Sequence, residues 1–170
     1  MRTRSALTGR VLSTAALSAA LLTAGTLALA GVPQAGQPAP AFSLPKAAGN
    51  GNVTMASLRR KPVYLNFFAN WCAPCNEEAP SIVELYKKYR GRGLVTVGVD
   101  ELESSKRALE FANKYHYPFA VVVDDGKMGN DYGVLGMPVH VFIDRSGKIS
   151  TYRLGEMSPA EIEAAIKKIL

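Results

Sequence analysis

Residues 63–75 read Val63-Tyr64-Leu65-Asn66-Phe67-Phe68-Ala69-Asn70-Trp71-Cys72-Ala73-Pro74-Cys75, and this order decides the fold. Val63–Ala69 is almost continuously apolar, the mark of a central strand covered on both faces. Beyond it, from Cys75 to Arg90, Ala79, Ile82, Val83 and Tyr86 recur at i, i+3, i+4 and i+7, which predicts an amphipathic helix. The chain has 2 cysteines, and both stand where the buried strand gives way to the helix.

That placement carries chemistry. A helix N-terminus offers unpaired N–H groups and the positive end of the dipole, both favourable to an anion. The thiolate is the reactive form of cysteine, and such sites lower its pKa from ~8.5 into the range ~3.5–7.5. Two intervening residues bring Cys75 back over the first turn, within reach of a short-loop disulfide with Cys72. Trp71 is expected to shield one side and to leave the Cys72 sulfur at the surface. The chemistry expected is attack by Cys72 on a partner disulfide, then resolution of the mixed disulfide by Cys75. Two plainer readings fare worse. A purely structural bridge across so short a loop adds little chain-entropy stabilisation. A zinc site needs four ligands, and His116 and His140 are the only histidines, with no second cysteine pair. No metal site is therefore expected, and the redox group would be the disulfide itself, without a cofactor.

The flanking sequence extends the α/β pattern. Upstream, Ala41–Leu44 and Val53–Met55 are short strand candidates around the Gly49–Asn52 turn. Downstream come a strand at Leu94–Val99, a helix carrying Ala108, Phe111, Ala112 and Tyr115 with Ser104 or Ser105 as its cap, and a strand at Phe119–Val123. Val139–Ile143 and Lys148–Leu154 flank Asp144-Arg145-Ser146-Gly147 and read as an antiparallel hairpin. A last helix opens at Ser158-Pro159-Ala160-Glu161 with a capping serine, proline at its first position and glutamate three after the cap. The sum is one α/β domain, a central mixed sheet with helices on both sides.

Composition limits the alternatives. The chain has 170 residues, 48% of them hydrophobic and 20% charged, which suits one ordinary domain and excludes a disordered chain. Its formal charge of +6 owes half to Arg2, Arg4 and Arg10. Without clustered basic residues there is no case for nucleic acid. Those arginines precede Val11–Ala30, a stretch without charge that ends Ala28-Leu29-Ala30. This reads as a secretory signal peptide over residues 1–30, cut after Ala30. The alternative is an uncleaved membrane anchor, since twenty residues at ~1.5 Å rise span a ~30 Å core. Its many Ala, Thr and Ser residues make a marginal span. Either way, residues 31–170 would lie outside the cytoplasmic membrane.

Gly36–Leu170 resembles the extracytoplasmic thiol–disulfide oxidoreductases of the ResA/TlpA/CcmG type. The resemblance rests on Ala39-Pro40-Ala41-Phe42-Ser43-Leu44, Val63–Ala69, Trp71–Cys75, Pro80, Tyr132–Pro138, Phe142-Ile143-Asp144 and Gly147-Lys148. It implies a thioredoxin fold with an N-terminal β-hairpin extension (residues 31–60) on a core (61–170) that holds an inserted helix–strand unit. It further implies a monomeric reductant of exported protein disulfides, in apocytochrome c, in oxidase copper-site assembly or elsewhere. Electrons would come from a membrane thiol reductase of the CcdA/DsbD type.

The resemblance also assigns roles around the dithiol. Pro138 matches a cis-proline facing the cysteines, where it would help hold substrate together with Met137 and Trp71. Glu78, three residues after Cys75, matches a partly buried glutamate that would accept the proton of the resolving thiol; a plainer reading makes it an exposed first-turn acid, as expected of Glu77. Asn66 stands where thioredoxin has a buried aspartate and cannot take up a proton. Pro80 should kink the active-site helix. After Pro138 the pattern breaks, with Val139 and His140 in place of two small hydroxyl residues. Only one of them can face the sulfurs, and neutral packing is the default for His140. Three other activities compete: a disulfide-forming oxidant of the same fold, a Cu(I) metallochaperone drawing on His140 and Met137, and a thiol peroxidase, for which no arginine is suitably placed.

Overall fold

The computed structural model describes residues 31–170; the expected leader lies outside the described residues. The chain runs β1 (Ser43–Pro45), β2 (Asn52–Thr54), β3 (Val63–Phe68), α1 (Ala73–Tyr89), β4 (Val95–Glu101), α2 (Ser105–Lys114), β5 (Ala120–Asp124), α3 (Lys127–Asp131), β6 (Val139–Ile143), β7 (Ile149–Leu154) and α4 (Pro159–Ile169). Among these residues no helix is long and apolar enough to cross a membrane.

The apolar run at 63–69 explains the topology. All six residues of β3 are buried, and β3 lies at the centre of a five-stranded sheet ordered β5-β4-β3-β6-β7. It pairs parallel with β4 and antiparallel with β6, while β4–β5 is parallel and β6–β7 antiparallel. Successive side chains alternate between faces. Leu65 and Phe67 join Val97, Val99, Val139 and Val141 beneath the β1–β2 hairpin, Met128 and Tyr132. Tyr64 and Phe142 pack with Ile82, Leu85, Ile162 and Ile166 of α1 and α4, and Phe68 packs with Ala79, Ala108 and Phe111. Three helices therefore cover one face, while the hairpin and α3 cover the other.

α2 and β5 form the helix–strand unit expected between β4 and the terminal hairpin, and Ser104 is the residue that caps α2. Ser158 and Glu161 close a reciprocal capping box at α4. Strand β1 begins at Ser43, later than Ala41, because Ala41 and Phe42 precede the three-residue ladder with β2. α1 starts at Ala73 and runs unbroken through Pro80. The five-residue α3 was not expected: it is too short to show helical periodicity, and Asp124 starts it by accepting the Met128 and Gly129 N–H groups at 3.0 and 2.7 Å.

Candidate active site

The site is built where β3 hands over to α1. The Cys72 N–H donates to the Ala69 carbonyl at 3.1 Å, turning the chain. Cys72 then serves as the N-cap of α1, its Sγ accepting the Cys75 N–H at 3.2 Å. The two cysteines form a disulfide with an S–S length of 2.02 Å and a Cα–Cα distance of 5.3 Å.

Exposure differs from expectation. Cys72 and Cys75 are each only 3% exposed, whereas Trp71 is 67% exposed. The indole stands out in solvent and the Cys72 sulfur is drawn in. Its bond to Cys75 and its capping contact hold it against an apolar cluster that includes Ala69, Ala79 and half-buried Met137. The Met137–Pro138 peptide bond is cis, and Pro138 is buried.

A polar lattice absent from the sequence reading fixes the loop. Asn76 Nδ2 donates to the carbonyls of Asn70 (3.0 Å) and Cys72 (2.8 Å). Its Oδ1 accepts from Lys114 Nζ (2.9 Å) and Tyr115 Oη (2.7 Å) at the end of α2. The Asn70 N–H donates to Glu103 Oε2 at 2.5 Å, and Arg107 lies 3.5 Å from the other oxygen of Glu103. The available signal was a pair of asparagines bracketing the dithiol, a residue type that readily bonds nearby backbone.

On the opposite side of α1, Glu78 is buried and Glu77 exposed. Glu78 Oε1 accepts the Met157 N–H, and its Oε2 lies 3.3 Å from Nε2 of His140. His140 is fully buried, and its Nδ1 is 2.7 Å from the Tyr64 hydroxyl. The register explains the meeting: His140 pairs with Asn66 and Phe142 with Tyr64, so these side chains share the α1 face while Val139 points to the other. Burial, then the Glu78 charge, raises the Tyr64 phenol well above its ordinary range. With Nδ1 and Nε2 directed at Tyr64 and Glu78, the copper reading loses the ligand it sought in His140.

A further group of acids lies behind the loop. Burial, followed by the nearby Glu103 carboxylate, pushes Asp100 up to about 7, and burial, followed by Asp124, pushes Glu101 up to about 8. Nothing in the sequence pattern marked them, because they end an otherwise ordinary strand.

The model for the AhpC/TSA family matches residues 35–152. The chain belongs to the AhpC/TSA family. Within that family it is 35% identical over 137 residues to the thiol-disulfide oxidoreductase ResA of Bacillus anthracis, covering 80% of this chain and 79% of that one. A solved structure of a putative thiol:disulfide interchange protein DsbE from Chlorobium tepidum superposes with a TM-score of 0.71 at 31% identity, over 79% of this chain and 99% of the other. A secreted Mycobacterium tuberculosis disulfide oxidoreductase, described as homologous to E. coli DsbE, matches with a TM-score of 0.67 at 27% identity, over 75% and 95% of the two chains. This AhpC/TSA-family chain is thus a thiol–disulfide oxidoreductase of the ResA/DsbE type on a thioredoxin-like fold, carrying the disulfide-bonded Cys72–Cys75 pair.

Proposed function

We propose that the protein reduces disulfides of exported proteins outside the cytoplasmic membrane, with Cys72 as nucleophile, Cys75 as resolving thiol and Glu78 as its proton acceptor. The observation that carries this reading is Cys72 at the N-cap of α1 with Cys75 one turn behind it and Glu78 buried a turn further. In the first step the Cys72 thiolate attacks a substrate disulfide, and one substrate sulfur leaves with the electron pair. In the second, Cys75 gives its proton to Glu78 and its sulfur attacks Cys72 Sγ. The mixed disulfide breaks, the second substrate sulfur leaves as thiolate, and the enzyme is oxidised. The substrate chain would lie over Met137 and Pro138, with Trp71 at the rim.

The domain organisation proposed is a secretory leader over 1–30 and one thioredoxin-like domain over 31–170, with 31–60 as extension and 61–170 as core. The secreted M. tuberculosis relative supports an extracytoplasmic location. Apocytochrome c and oxidase-assembly proteins are the substrates proposed, and a membrane thiol reductase of the CcdA/DsbD type the electron donor.

The test is the equilibrium reduction potential of the Cys72–Cys75 pair in the purified chain, against glutathione or dithiothreitol. A value near or below about −270 mV, that of thioredoxin, supports a reductant; one near about −120 mV, that of a strong oxidant, reverses the direction and overturns the reading.

A further inference from the structure

We propose that His140 is a positioning residue for the resolving step, holding Glu78 ionised and in place to receive the Cys75 proton, with Tyr64 setting the ring's tautomer. The inference rests on the role proposed above for Glu78. Three observations carry it. Among the described residues His140 is the only basic side chain paired with Glu78, at 3.3 Å, in a site where the two side chains are 0% and 4% exposed. Glu78 Oε2 and His140 Nε2 are both buried without a hydrogen-bond partner among the described residues, so the 3.3 Å contact between them is electrostatic. At the far side of the ring, the Tyr64 hydroxyl lies 2.7 Å from Nδ1.

One tautomer of the neutral ring suits both contacts. Tyr64 stays protonated, since burial raises its phenol. A phenol O–H donating to Nδ1 makes that nitrogen the acceptor and puts the ring's proton on Nε2, facing Glu78 Oε2. A buried carboxylate left without donors becomes neutral. Here the Met157 N–H bonds one oxygen, and the Nε2–H dipole lies 3.3 Å from the other, a contact that is electrostatic and not a hydrogen bond. The other titratable groups about the pair are Cys75 on α1, Tyr117 before β5, whose phenol burial also raises, and Arg153 on β7, opposite His140 in the β6–β7 register. Arg153 is exposed and makes no ion pair with Glu78.

The proton is then accounted for. Cys75 loses it to Glu78 as the new S–S bond forms, and the electron pair of the broken bond departs on the substrate sulfur. Neutral Glu78 releases the proton to that leaving thiolate or to solvent, restoring the carboxylate that Nε2–H stabilises. His140 changes neither its covalent bonds nor its protonation, and it touches no reacting atom.

Reaction of the reduced, purified chain with Ellman's reagent separates the steps: the first thionitrobenzoate is released by Cys72, the second by Cys75. Followed by stopped flow across pH 5–9, His140→Leu should leave the first phase within about twofold and slow the second about tenfold at pH 7. Its acid-limb midpoint should rise by about one unit, the shift expected from removing a polar N–H from beside a buried carboxylate. His140→Gln retains an N–H donor and should recover part of the shift. Tyr64→Phe should move the midpoint the same way but less, and tests the idea should His140→Leu fail to fold. If Glu78→Gln abolishes the acid limb while the His140 and Tyr64 variants leave it in place, His140 is a packed side chain and the inference falls, with Glu78 retained. If Glu78→Gln itself leaves the limb unchanged, the role proposed for Glu78 falls and takes this inference with it.

Discussion

Asn76 grips the carbonyl of Cys72 twice, through its backbone N–H at 3.1 Å and its side-chain Nδ2 at 2.8 Å. The first is an ordinary helical bond. The second ties the turn that presents the dithiol to a side chain which is itself held by Lys114 and Tyr115 of α2. Asn76→Ala keeps the helical bond, removes the side-chain bonds and leaves the Asn70 carbonyl without its side-chain donor. The loss should be about 1–2 kcal/mol of stability, read by urea unfolding of the oxidised chain. Alkylation of reduced Cys72 should change in rate as well; an unchanged midpoint and rate would show that α2 does not brace the site.

The two cysteines should separate under mutation. Cys72→Ser removes the attacking sulfur and should abolish reduction of a model protein disulfide. Cys75→Ser should instead accumulate stable mixed disulfides with partners, visible on non-reducing gels. Equal residual activity in the two variants would contradict the assigned order of attack.

Acids buried at the end of β4 make stability depend on pH in an unusual direction. Asp100 rises from 3.8 to about 7 and Glu101 from 4.5 to about 8. In the folded state each holds its proton over a range where the unfolded chain has lost it. Their contribution is therefore fully present below pH ~4 and is lost as pH rises through about 7 and 8. Measured by denaturant unfolding at fixed redox state, stability should fall between pH 5 and 8.5 by several kcal/mol. Asp100→Asn combined with Glu101→Gln should flatten that slope. A slope unaltered by the double substitution would locate it elsewhere.

Gly129 packs against one of these acids. A Cβ on it would lie 2.1 Å from Glu101 Oε1, and Glu101 is only 6% exposed. Gly129→Ala should cost about 1–3 kcal/mol by overpacking. Adding Glu101→Ser should recover most of this loss, and a thermal melt of the single and double variants checks the coupling.

What could be read from the sequence follows from what is local. The strand at 63–69, the dithiol at its end and the capped helix at Ser158 are written in consecutive residues, so period and cap chemistry sufficed. The match of Pro138 to a cis-proline came from the resemblance. The tilt of Trp71 into solvent and the burial of Cys72 were missed, because they depend on where one turn bends. His140 illustrates the deeper limit. Its partners are Tyr64 on β3 and Glu78 on α1, brought together only by the β3–β6 register, and a lone histidine among apolar residues carries no sign of either. Asn76 and Glu103 belong to the same class: their roles lie in contacts 38 and 33 residues away in the chain.

The chain has 1 tryptophan, adjacent in sequence to the redox pair and with two thirds of its surface in water. The molecule thus carries a built-in optical reporter at the place where a partner would arrive. Any protein that docks over the dithiol must desolvate that indole, so its emission should shift to the blue on complex formation and return on release. Encounter, exchange and departure can then be timed on the unlabelled protein, with no background from a second fluorophore of the same kind in the chain.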